Sequence, residues 1–148
     1  MDSDASEHVL QECEVVRVGF RDRDSTYLIP LGCVWLAGAL YGVTDAGRKT
    51  ELVSADSRVS FQADTSPETG LFEWESVTGQ GSFEIVTDPD EKAAALAQLQ
   101  TLVARAPGWW KAEQGPKLAS GRALVWRIRP NTLTGLRYGP TGLNPASQ

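Results

Sequence analysis

Within the first third of the chain, three apolar segments follow one another with only short turn-forming stretches between them, and this succession describes an antiparallel meander. Residues 13–21 alternate, with Val16, Val18 and Phe20 on one face and Arg17 and Arg21 on the other, the period of a half-buried strand. Asp22-Arg23-Asp24-Ser25 has turn composition. From Tyr27 to Trp35 the chain is almost continuously apolar, as for a strand covered on both faces, with Pro30 marking a bulge or an edge. Ala37-Gly38 then makes a tight reversal into Ala39–Val43.

The pattern continues beyond the meander. A short helix is expected over Gly47–Ala55, followed by a strand at Arg58–Ala63 with Val59, Phe61 and Ala63 on one face. Thr65–Gly70 reads as an exposed loop, and Leu71–Val86 as one long strand bent at Gly79 and Gly81. Asp88-Pro89-Asp90-Glu91 combines a capping Asp, a proline at the first helical position and a Glu three residues after the cap. Leu96, Leu99, Val103 and Ala106 then form a stripe at helical spacing that suits core packing, and Pro107-Gly108 ends the helix. A polar segment leads to a last strand at Ala123–Arg129 and a short one at Thr134–Tyr138. Meanders with so few connecting helices close into barrels or sandwiches.

A chain of 148 residues is expected to form one domain. Residues 1–12 read as a flexible acidic N-terminal leader, 13–138 as the domain, and 139–148 as a loose tail. The net charge of −5 argues against a nucleic-acid partner. No apolar run reaches the ~20 residues that span a bilayer, and the polar start is unlike a signal peptide, so a cytoplasmic location without membrane attachment is expected. Cys13 and Cys33 fall nearly opposite each other if the first two strands pair, and read as reduced, buried residues. No Cys-x-x-Cys or histidine cluster offers a metal site. The single histidine, His8, lies in the leader, which removes most histidine-based mechanisms.

Between the third and fourth strands lies Tyr41-Gly42-Val43-Thr44-Asp45-Ala46-Gly47-Arg48-Lys49-Thr50-Glu51-Leu52. A helix opening at Gly47 places Arg48, Lys49 and Thr50 in a first turn whose unpaired N–H groups and positive dipole end attract anions, phosphate above all. Gly42-x-x-x-x-Gly47-Arg48-Lys49-Thr50 narrowly misses the nucleotide-binding P-loop, with one residue inserted before the Lys. That loop belongs to parallel strand–loop–helix units, which this chain lacks. The alternative is a solvated basic turn.

The order Tyr27-Leu28-Ile29-Pro30-Leu31, Gly38-Ala39-Leu40-Tyr41, Gly47-Arg48-Lys49 with Leu52, and Ser57-Arg58-Val59-Ser60-Phe61 resembles the pyridoxamine 5′-phosphate oxidase-like family of FMN-binding split barrels. Trp74-Glu75-Ser76-Val77 with Gly81 and the closing Val125-Trp126-Arg127-Ile128-Arg129-Pro130 continue the likeness, which is nearest to the nitroimidazole-resistance branch. It implies a mainly β fold, a six-stranded antiparallel split β-barrel with one short and one long helix, and a homodimer holding FMN at its interface. Lys49, with Arg48 and Thr50, matches the contact to the FMN phosphate. Leu31, Val43 and Thr44 would line the isoalloxazine ring. Gln62, Trp74 and Ser76 are further candidate contacts, or else outward strand positions and, for Trp74, interface packing.

The family's oxidases carry a C-terminal Arg-x-His pair for substrate; this chain has Arg127-Ile128-Arg129 instead. A flavin-dependent oxidoreductase acting on a small molecule is the leading expectation. A non-catalytic binder of FMN, haem or deazaflavin is the alternative. Trp109-Trp110 would cover a planar ligand or pack at the core or the interface.

Overall fold

The computed structural model describes residues 1–140. A first helix α1 (Ser3–Glu12) precedes the strands β1 (Val15–Asp22), β2 (Ser25–Gly32), β3 (Val34–Leu36) and β4 (Ala39–Thr44). Helix α2 (Arg48–Ala55), strand β5 (Arg58–Asp64), the one-turn α3 (Ser66–Thr69) and the long β6 (Trp74–Ile85) follow. Helices α4 (Pro89–Ala104) and α5 (Gly108–Ala119) then lead to β7 (Leu124–Tyr138). No described helix is long and apolar enough to cross a membrane.

All seven strands form one antiparallel sheet in the order β2-β1-β5-β6-β7-β4-β3. Its two edges, β2 and β3, are consecutive in the chain and joined through Cys33 alone. An open sheet of this width cannot bring its edges within one residue of each other, so it curls into a barrel split between β2 and β3. Val16, Val18 and Phe20 of β1, Phe61 and Ala63 of β5, and Val77 and Phe83 of β6 point inward with Trp126 and Ile128 of β7. Phe83 stacks on Trp126 with ring centroids 5.2 Å apart and meets Phe20 edge-on at 5.1 Å. A second cluster lies outside the barrel, where Ala95, Leu96, Leu99 and Leu102 of α4 cover Tyr41 and Val125.

The expected mainly β, antiparallel split barrel is the observed fold, with differences that have local causes. The Tyr27–Trp35 run is two strands, because the chain turns from one barrel edge to the other at Cys33, which raises the strand count from six to seven. β2 is an edge strand, as Pro30 suggested, and alternates: Tyr27, Ile29 and Leu31 pack on the core while Leu28 is 65% exposed. The last two expected strands are one, β7, which pairs with β6 from Trp126 to Tyr138 with an irregularity at Gln80/Gly81.

Residues 1–12, expected as a flexible leader, instead form a docked helix, α1. Asp2 caps α1 by accepting from Ala5 N–H at 2.8 Å, and Val9 and Leu10 are fully buried in the barrel core. Two adjacent apolar residues in a polar segment made too faint a period to notice. Gly135 on β7 gives α1 its seat, since a Cβ there would strike Ser6 Oγ. The polar segment after Pro107 is α5, and Ser66–Thr69 forms a helical turn within the expected loop. The tail expected at 139–148 lies outside the described residues from 141 onward.

Candidate functional site

α2 begins where the sequence pattern placed it, and its first turn sorts the three candidate phosphate contacts. Gly47 offers no capping side chain; Thr50 Oγ1 accepts from Gly47 N–H at 2.9 Å and donates to the Gly47 carbonyl at 2.8 Å. Arg48 is spoken for as well, paired with Asp22 and lying over the Tyr27 ring at 4.9 Å. Lys49, half-buried, makes no ion pair or hydrogen bond among the described residues. The uncommitted charge at the positive end of this helix is therefore Lys49.

A second grouping collects Gln62, Trp74 and Ser76. Asp64 and Ser76 face each other across β5 and β6, with Gln62 next to Asp64 on the same outer face. Gln62 Nε2 donates to Asp64 Oδ2 at 2.9 Å and to Ser76 Oγ at 3.0 Å, while Arg17 Nη1 donates to Gln62 Oε1 at 3.3 Å and to Asp64 Oδ2 at 3.2 Å. Burial pushes the Asp64 carboxyl up, but hydrogen bonds from Ser66 and Gln62 and the Arg17 charge outweigh it and hold it below its usual range. Gln62, Asp64, Ser66 and Ser76, with Trp74 and Leu71, line a cavity of about 480 Å³. Trp74 stacks on Tyr138 at 5.4 Å with 19° between the planes, an aromatic wall for one side. Ser76 accepts from Gln62 and so keeps its own O–H free to donate.

The remaining candidates lie elsewhere. Val43 packs against the outer α4 cluster, and buried Thr44 donates to the Asp45 carbonyl at 3.1 Å. Leu31 packs on the barrel core, since its register partner Val16 points inward. Gln62 pairs with Arg17, five positions along β1 from Asp22 where Arg48 is held. At ~3.3 Å per residue the Arg48–Asp22 pair and Gln62 stand roughly 17 Å apart along β1.

Sequence reasoning missed Asp64 and Arg17, which orient Gln62; the alternation that placed Gln62 outward on β5 put Asp64 on the same face and could have found it. It also missed what Arg127 does. Arg127 Nη1 donates to both carboxylate oxygens of Glu91 at 2.6 and 2.7 Å, Nη2 reaches Glu84 at 3.2 Å, and Tyr41 O–H donates to Glu91 at 2.8 Å. The first arginine of Arg127-Ile128-Arg129 thus fastens α4 to the sheet and does not face a ligand cavity.

No curated protein matches the chain. Solved structures share its fold. An FAD-binding protein from Mesorhizobium loti superposes with a TM-score of 0.72 at 23% identity, over 93% of this chain and 94% of that one. A protein of Bacteroides thetaiotaomicron named for 5-nitroimidazole antibiotic resistance gives 0.69 at 19% identity, over 90% and 82%. An FAD-binding protein from Mycobacterium smegmatis gives 0.68 at 21% identity, over 93% and 98%. A family model described as pyridoxamine 5′-phosphate oxidase matches residues 2–137, nearly the whole described barrel, and the chain belongs to that family.

Proposed function

We propose that this protein binds a flavin, FMN, in a site completed by a second copy of the chain, and that it acts as a flavin-dependent oxidoreductase on a small molecule. The observation that carries the reading is Lys49, a cation without an ion pair or hydrogen bond among the described residues, in a helix start where Gly47 supplies no capping side chain and Arg48 and Thr50 are already committed. Structural relatives named as FAD-binding proteins support a flavin over other phosphate-bearing ligands.

The residues present fit such a group. Lys49 and the first N–H groups of α2 would hold the phosphate. Gln62, kept in one orientation by Asp64 and Arg17, and Ser76 with its free O–H would meet the polar edge of the ring, with Trp74 as the aromatic wall. Leu28, Leu71, Phe72, Leu136 and Tyr138 are each more than half exposed, which is more apolar surface than a monomer ordinarily leaves in water. A twofold partner packed on this outer sheet face would cover it and carry one copy's Gln62 cluster toward the other copy's Lys49. The bound flavin would supply two-electron chemistry, and the protein binding, orientation and exclusion of water. Because Arg127 is bound to Glu91, the reading assigns no pyridoxamine phosphate substrate.

The test is titration of apo-protein with FMN, followed by flavin fluorescence. Lys49→Ala should weaken FMN by about 1.5–3 kcal/mol, the usual worth of a charge-assisted hydrogen bond. Equal affinity in both proteins would refute the site.

A further inference from the structure

Away from the Lys49 and Gln62 groups, α4 and α5 stand over the ends of β1 and β4 and enclose a groove of about 380 Å³. Val15, Val43, Leu99, Val103, Trp110 and Leu118 form its walls. Val15 is 46% exposed there although it is a strand residue beside the core, so the groove is apolar surface that the fold leaves unpacked. Its roof is unusual. α5 is a twelve-residue helix with no buried residue; it turns Trp110 and Leu118 toward the groove, while its neighbour Trp109 is 67% exposed. A side-chain tether, Lys111 Nζ donating to the Ala104 carbonyl at 3.2 Å, holds it to the end of α4.

We propose that this groove is a binding site for an uncharged, largely apolar small molecule, with α5 as its cover. The volume suits a small organic molecule. Glu14 is the one ionisable side chain in its lining, and it is paired with Arg105, which lies outside the groove. Among the described residues no cation lines the groove itself, Lys117 of α5 lining the adjoining cavity instead, so an anion seated in the groove would lose hydration without a partner. Gln100 offers the one side-chain amide, enough for a single hydroxyl, carbonyl or ring nitrogen on an otherwise apolar body. The site is distinct from the proposed flavin contacts at Lys49 and Gln62, and stands whether or not those hold a flavin.

The test uses N-phenyl-1-naphthylamine, an uncharged probe that brightens in apolar surroundings, titrated into FMN-free protein. Its sulfonated counterpart, 8-anilino-1-naphthalenesulfonate, serves as the anionic comparison. The expected result is saturable binding of one probe per chain, weakened about tenfold or more by Trp110→Ala and by Leu99→Gln, unchanged by Trp109→Ala, and about tenfold weaker for the sulfonate. Trp110 has no part in the core, so its variant keeps the test valid if Leu99→Gln fails to fold. Probe affinity unaltered by Trp110→Ala, a preference for the sulfonate, or no saturable binding would overturn the proposal. Displacement of the probe by FMN would also overturn it, by making the groove part of the flavin site. Because the titration is done without FMN, failure of the flavin reading and failure of this one are seen separately.

Discussion

Leu10→Ala tests whether the first twelve residues belong to the barrel core. Leu10 is 0% exposed and packs in the main cluster alongside Val9. The substitution removes three carbons, a transfer term of about 2.4 kcal/mol at ~0.8 kcal/mol per buried methylene. A partly collapsed cavity of ~40 Å³ adds about 1 kcal/mol at ~24 cal/mol per Å³. The total of roughly 3.4 kcal/mol is a large share of the 5–15 kcal/mol that typically holds a domain together. Urea unfolding followed by tryptophan fluorescence should show a lower midpoint with an unchanged slope. Thermal unfolding at fixed protein concentration should show a loss of roughly 7–14 °C, at 2–4 °C per kcal/mol for a chain of this size. Gln11→Ala, at an exposed position of the same helix, should change stability by less than ~0.5 kcal/mol. If Leu10→Ala costs no more than Gln11→Ala, α1 is not docked, and the burial of Val9 and Leu10 does not describe the protein in solution.

Three further outcomes follow from local structure. Ala37 (φ 50°) and Gly38 (φ 81°) form the two-residue turn between β3 and β4, where both positions require left-handed backbone, so Ala37→Asn should raise stability by about 0.5–1 kcal/mol in the same urea assay. Hydrogen bonds from Arg127 and then Tyr41 hold the Glu91 carboxyl below its ordinary value of 4.5; its contribution is therefore present above that pH and lost as pH falls through the lower folded value. Glu91→Gln should make the protein less stable at pH 7 and its acid-induced loss shallower, as read from urea midpoints between pH 7 and pH 3. Burial pushes Cys13 to about 11 and Cys33 to about 12, so at pH 8 native protein should react slowly with a thiol-specific disulfide reagent and denatured protein should titrate two thiols.

What could be foreseen in this fold followed the range of the signals. Alternation at Val16, Val18 and Phe20, and again at Val59, Phe61 and Ala63, reports a strand and its buried face because both depend on neighbouring residues alone. The Asp88-Pro89 start of α4 was legible for the same reason: its cap is a bond from Glu91 N–H to Asp88 Oδ2, 2.8 Å long and three residues wide. The barrel was foreseen but the place where it closes was not, since one residue at Cys33 carries the chain between opposite sheet edges and looks like mid-strand. α5 was missed because the segment after Pro107-Gly108 reads as polar: Gly115 and Pro116 interrupt it, and a helix with no fully buried residue shows only a sparse apolar face at Trp110 and Leu118.

The candidate site divides along the same line. Lys49 is singled out by a contiguous motif confined to one helix start, and the structure adds that Arg48 and Thr50 are occupied by Asp22 and Gly47. Leu31 and Val43 were carried over from the family likeness by their place at strand ends, and a strand end does not specify a face: pairing turns Leu31 inward opposite Val16, while Val43 faces the α4 side. Gln62 and Ser76 stand fourteen residues apart, and only the β5–β6 register brings them to 3.0 Å. A one-residue slip of β5 against β6 would turn Gln62 into the barrel and Phe61 out to water while Ser76 stayed on the outer face, parting the two. The same apolar residues that fill the core therefore hold the polar cluster on the outer face, and its geometry is as secure as the burial of Phe61 and Val77.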